Sequence, residues 1–90
     1  MAKVVTISGS MRFYNQMLAI ANELTLEGKI VLMPFVLKID DPGMDDKLQQ
    51  LHKRKIDLSH EVIVVGPPGE STYDEIQYAE SVGVKVIYYA

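Results

Sequence analysis

Two runs of nearly unbroken, β-branched apolar character, Lys3–Ser8 (KVVTIS) and Glu61–Gly66 (EVIVVG), constrain this chain more than any other feature. A strand that is apolar on both faces has to be covered on both sides, which is the situation of a parallel sheet held between helices. Two further strands are expected at Lys29–Met33 and Val84–Tyr89. From Met11 to Glu27, apolar residues recur at Phe13, Met17, Ile20, Ala21 and Leu24, the one-sided spacing of an amphipathic helix, and Gly28 is well placed to end it. Pro34–Asp46 carries Pro42-Gly43 and four aspartates, so a loop is expected there, with Asp45 or Asp46 capping a helix over Lys47–Leu58. Leu48, Leu51, the Lys55 stem and Leu58 mark its expected inner side. A third helix is expected over Thr72–Ser81.

The resulting order is β-α-β-α-β-α-β, and every link between strands is long enough for a helical crossover. Such links give a parallel sheet with right-handed connections. The expected fold class is α/β: a small three-layer sandwich with a four-stranded parallel sheet in the order 2-1-3-4, flavodoxin-like or Rossmann-like. Ninety residues with 48% hydrophobic content support one core, hence a single domain over residues 1–90. A sheet this small covers its edges poorly, so a homo-oligomer is expected.

Composition narrows the function classes. A net charge of −3 argues against a nucleic-acid polymer as partner, since phosphate neutralisation calls for a basic surplus; the one basic cluster, Lys53-Arg54-Lys55, is local. The absence of cysteine removes disulfides, thiolate metal sites and thiol nucleophiles. The apolar run Ile30–Leu37 is broken by Pro34 and falls short of the roughly 20 residues of a membrane span. With no signal-peptide pattern at the N-terminus, a cytoplasmic location without membrane partners is expected.

The chemistry-bearing residues gather where strands give way to helices, the usual ligand position of such a sheet. After strand one comes Ser8-Gly9-Ser10-Met11-Arg12: a glycine allows close backbone approach, helix-start amides favour an anion, and Arg12 can pair with phosphate. Plain turn chemistry accounts for the same Gly-Ser pair. The loop is not GxGxxG, so nicotinamide cofactors are not indicated. After strand three comes Gly69–Glu80 (GESTYDEIQYAE), in which Ser71, Glu75 and Tyr78 lie close to one helix face and can address a common ligand. A carboxylate at Glu75 can attack an anomeric carbon, stabilise an oxocarbenium-like transition state or accept amide hydrogen bonds. Thr72 with Glu75, and Ser71 with Asp74, also have capping-box spacing, and from spacing alone capping is the better account. His52 with Lys55, and His60 beyond, lack a third ligand, so a solvated helix face is the better account there and no metal is expected.

Taken together, SGSMR after strand one, KIVLMP as strand two, LHKRKIDLSHEVIVV and GESTYDEIQYAESVGVKV resemble the nucleoside 2-deoxyribosyltransferase superfamily, in particular its short bacterial and phage-encoded members, relatives of deoxynucleotide N-hydrolases. The similarity spans almost the whole chain. It implies that Ser8, Gly9, Ser10 and Arg12 bind a deoxynucleoside or deoxynucleotide, with Gly69 and Ser71 suited to a 5′-phosphate or sugar hydroxyl. It implies further that Glu75 is the nucleophile in cleavage or transfer at an N-glycosidic bond, with no cofactor. The alternative is a non-catalytic nucleotide-binding or oligomeric interaction module that retains the fold. The chain departs from the family pattern at two positions: Lys53 stands where many relatives carry an aspartate, and Thr6 where nucleotide-hydrolysing relatives carry a strand-one tyrosine. Asp57, one helical turn beyond Lys53, is the candidate substitute for that aspartate as the acid.

Overall fold

The computed structural model describes residues 2–34 and 42–89. Four strands, β1 (Val4–Gly9), β2 (Ile30–Leu32), β3 (Glu61–Val65) and β4 (Lys85–Tyr89), form one sheet in the order β2-β1-β3-β4. All three pairings are parallel, with Val5 opposite Val31 and Glu61, and Ile63 opposite Ile87. A short 3₁₀ turn (Met11–Phe13) leads into α1 (Tyr14–Leu26); α2 (Pro42–Asp57) precedes β3 and α3 (Glu70–Ser81) precedes β4. The architecture is the Rossmann-like α/β sandwich expected from the strand pattern.

The alternation of side chains along β1 and β3 divides the interior into two layers. Val5 and Ile7 with Ile63 and Val65 pack against Met17, Ile20, Ala21 and Leu24 of α1. On the other face, Val62 and Val64 pack against Ile56 of α2 and Ile76 and Ala79 of α3. There, however, the alternate residues of β1 are not apolar: Thr6 and Ser8 are fully buried beneath α2. Thr6 Oγ1 meets Ser59 Oγ, and Ser8 Oγ meets His52. The strand that reads as apolar on both faces therefore supports one helix layer with hydroxyls.

Helix ends follow their residues. After α1, Gly28 adopts φ +91°, its amide donates to the Thr25 carbonyl and the Lys29 amide to that of Leu24, the paired bonds of a Schellman motif. Gly83 repeats the arrangement after α3, with φ +78° and bonds from Gly83 to Glu80 and Val84 to Ala79. In each case the motif turns the chain straight into the next strand.

The inner side of α2 differs from the leucine-based expectation. Leu51 and Leu58 are 56% and 70% exposed, while His52 and Ile56 are buried. The helix also begins earlier than Lys47: Pro42 stands in its first turn, where its missing N–H leaves no intrahelical bond unmade, and Asp45 lies within the helix rather than capping it. The remainder of the loop expected over Pro34–Asp46 falls largely on residues 35–41, outside the described residues.

Candidate functional site

β1 and β3 are neighbours in the sheet, yet the chain leaves β1 toward the α1 face and β3 toward the α3 face. That reversal leaves a crevice at the carboxyl ends of the two strands, where α/β sheets bind ligands. A cleft of about 1220 Å³ opens there, lined by the β1 turn (Gly9, Ser10, Met11), by α2 and by the first turns of α3.

Glu75 and His52 form the polar floor of this cleft. Glu75 is 7% exposed and His52 5%. His52 Nε2 lies 3.0 Å from Glu75 Oε1, and Gln49 Nε2 donates to Glu75 Oε2 at 3.2 Å and to the Ser71 carbonyl at 3.3 Å. Ser8 Oγ lies 3.0 Å from the same His52 Nε2. The carboxylate requires a hydrogen on Nε2, so Nε2–H faces Glu75, and Nδ1 is left buried without a hydrogen-bond partner. An unsatisfied buried polar atom costs about 1–3 kcal/mol. Ser8, His52 and Glu75 do not make a serine-nucleophile triad: both partners meet one ring nitrogen, whereas a triad uses the two nitrogens separately, and Ser8 is wholly buried in β1.

Capping does not explain the α3 residues. The helix starts at Glu70 with Gly69 as N-cap, and no side chain caps it. Thr72 is buried inside the first turn, and Glu75 turns across to α2. The first-turn amides of α3 thus lack a side-chain acceptor, and Gly69, Glu70 and Ser71 line the cleft.

The sequence-derived site residues fall into two groups. Gly9, Ser10, Gly69, Ser71 and Glu75 line the cleft, and Ser8 supports it from beneath through His52. Arg12 is exposed, does not line the cleft and stacks its guanidinium over the Phe13 ring at 4.9 Å. Asp57 is also outside the cleft lining: at the far end of α2 it accepts a 2.6 Å hydrogen bond from the Tyr78 hydroxyl and lies 3.6 Å from Arg54. Tyr78 is committed to that contact and does not join Ser71 and Glu75 at the cleft. Gly9 has a packing reason for its missing side chain, since a Cβ there would stand 2.8 Å from the Val65 carbonyl and 3.2 Å from Met17 Sδ. Lys53 pairs with Asp74 at 2.9 Å. His60, instead of merely facing solvent, accepts a bond from the Val4 amide on Nδ1.

His52 and Gln49 are the site residues that a leucine-led reading of α2 passes over, because it places the helix's inner side one residue out of phase. The available signal is Ile56, four residues after His52, with Gln49 three residues before it.

Among the described residues, acids outnumber bases in the cleft lining: Asp45, Asp46, Glu70, Asp74 and Glu75 against Arg54 and Lys55. Burial pushes the Lys55 ammonium below its usual range, and Lys55 Nζ donates to the Met33 carbonyl at 2.6 Å. No group of three or more His, Cys, Asp or Glu that could hold a metal ion occurs among the described residues. No described helix is long and apolar enough to cross a membrane. In comparison with known proteins, no family model matches the chain, and no curated protein matches it significantly.

Proposed function

We propose that the protein cleaves or transfers at the N-glycosidic bond of a 2′-deoxynucleoside, with Glu75 as nucleophile. The observation that carries this reading is the placement of one carboxylate, held from one side by His52 and from the other by Gln49, at the floor of a cleft on the carboxyl rim of a parallel sheet. A carboxylate has about four acceptor sites. Two contacts therefore fix its orientation while leaving lone pairs for an anomeric carbon. Held this way, Glu75 loses little freedom on reaching the transition state, which is where positioned nucleophiles gain most. The resemblance in the sequence suggests the bond type and the sugar; a carboxylate held at the cleft floor supports Glu75 in the role of nucleophile.

The charge of the lining favours the uncharged nucleoside over its 5′-monophosphate. Arg12, the residue suited to pair with phosphate, lies outside the cleft, and the acids within it oppose an anion. Self-association in the cytoplasm belongs to the same reading, with the exposed Leu51 of α2 and Leu58 just beyond its end as apolar surface available to a second copy. The alternative, nucleotide binding without chemistry, draws on the burial of Glu75. Chromatography of free base separates the two. Wild type and Glu75→Gln are incubated with deoxynucleosides and deoxynucleotides, with and without an acceptor base. Release or exchange by wild type alone supports the enzyme. Silence from a folded wild type that still binds nucleoside supports the module.

A further inference from the structure

The second ring nitrogen of His52 has no role in the floor of the cleft. Nε2 faces Glu75 and Ser8, each at 3.0 Å, while Nδ1 is buried and makes no hydrogen bond. Buried imidazoles ordinarily satisfy both nitrogens with protein or water. With the Nε2 hydrogen directed at Glu75, Nδ1 is a lone pair without a donor in the neutral ring and an N–H without an acceptor in the imidazolium. The neighbouring polar groups are committed elsewhere. Gln49 bonds Glu75 and the Ser71 carbonyl, and Lys53 pairs with Asp74. His52 lines the cleft, and among the described residues its Nδ1 is the buried side-chain polar atom without a hydrogen-bond partner, so a donor or acceptor brought in by a substrate would satisfy it.

Resting on the nucleoside-cleaving reading above, we propose that His52 Nδ1 gives the proton that the departing base needs and takes one back from the water that follows. In the first step a Glu75 oxygen bonds to C1′ as the C1′–N bond breaks. The bonding pair goes to the base, which receives the proton from Nδ1 of the imidazolium and leaves neutral. In the second step water bonds to C1′ as the ester bond to Glu75 breaks and its electron pair returns to the carboxylate. The proton released by water goes to Nδ1 and restores the imidazolium. Nothing is oxidised or reduced, and the sum is nucleoside plus water giving free sugar and base. When an acceptor base replaces water, its N–H proton takes the same route.

Histidine suits both steps because one ring nitrogen can donate a proton and later accept one while the other keeps its own contact. Placing the active nitrogen across the ring from the carboxylate contact keeps acid and nucleophile apart, as retaining cleavage requires, where the two groups lie about 5 Å from each other. Asp57, bonded to Tyr78 at the far end of α2, does not line the cleft.

The test compares wild type, His52→Gln, His52→Asn and Glu75→Gln, each checked for folding by circular dichroism. The substrates are two pairs: 2′-deoxyguanosine with its 7-methyl derivative, and 2′-deoxyuridine with its 5-fluoro derivative. The second member of each pair has a base that needs less protonation to leave. On the pair that wild type cleaves, the His52 variants are expected to lose about 100-fold or more on the parent and far less on the activated member, while Glu75→Gln loses both. Equal losses on both members, or no loss, overturn the proton role of His52 and leave the Glu75 reading standing. No base release by folded wild type from either pair removes both. A readout that needs no change at His52 uses His60→Gln, which leaves His52 as the sole histidine. Its Nδ1 nitrogen resonance is expected to shift on addition of a slowly cleaved 2′-fluoro deoxynucleoside analogue, and saturation without a shift overturns the proposal.

Discussion

His52 and Glu75 meet between α2 and α3 at 3.0 Å, and the pair beside them, Lys53 and Asp74, closes the same helix contact at 2.9 Å on the more exposed side. Further along, Asp57 and Tyr78 join the same two helices. From His52–Glu75 to Asp57–Tyr78 the pairing advances along both helices, so α2 and α3 run parallel, as two successive crossovers on one face of a parallel sheet must. The helix contact thus changes character along its length: a buried polar pair at the cleft and a solvent-side tyrosine–carboxylate bond at the far end. The first faces the cleft, whereas Asp57 and Tyr78 do not line it.

The phase of α2 is the first thing to test. Ile56→Ala is expected to cost about 2–5 kcal/mol, because Ile56 is wholly buried against Val62 and Val64. Leu58→Ala, at an exposed position, is expected to stay within about 0.5 kcal/mol. Urea unfolding of both variants checks this, and the reverse ranking would place the leucines inside.

Gly9→Ala separates packing from ligand approach as the reason for glycine after β1. The added methyl meets the backbone carbonyl of Val65, which cannot swing aside as a side chain would. A loss of about 1–3 kcal/mol in the ligand-free protein is expected. Unchanged stability with weakened nucleoside binding would assign the glycine to the ligand instead.

β1 and β3 were legible in the sequence because β-branched apolar runs ended by glycine have few alternative structures; each boundary of the four strands lies within one residue of its expected place. The site was legible in part. Glu75, Ser71, Gly69, Gly9 and Ser10 share the rim because the strand order brings the two loops together. His52 and Gln49 were hidden by α2, where leucines draw attention to a side that is exposed while a histidine and an isoleucine face the sheet. Thr6 and Ser8 gave a further sign, two hydroxyls on alternate positions of an otherwise apolar strand, but their meaning depends on which helix lies over them.

Tyr78 supplies a pH-dependent prediction. Its hydroxyl donates to Asp57, and this hydrogen bond, aided by burial and the carboxylate charge, raises the phenol above its ordinary value of 10.0. A raised folded-state value means that the stabilisation is fully present below pH 10.0 and is lost as pH rises through the shifted value. The stability difference between wild type and Tyr78→Phe is therefore expected to be constant from about pH 7 to about pH 9 and to shrink above about pH 10. A difference that grows with pH would contradict the hydrogen bond's direction.

Asp57→Asn addresses the other candidate acid. Because Asp57 is engaged with Tyr78 and Arg54 away from the cleft, the variant is expected to release base at the wild-type rate and to lose at most about 1 kcal/mol of stability. A large fall in rate with folding intact would return the proton-donor role to Asp57.

The most direct test of Glu75 as nucleophile is to trap its sugar ester. Wild type and Glu75→Gln are incubated with 2′-fluoro-substituted deoxynucleosides, whose electron-withdrawing fluorine slows breakdown of the intermediate, and the proteins are mapped by peptide mass spectrometry. The account predicts a glycosyl adduct on the peptide carrying Glu75 in wild type and none in the variant; base release without an adduct on that peptide, or an adduct that persists in Glu75→Gln, would contradict it.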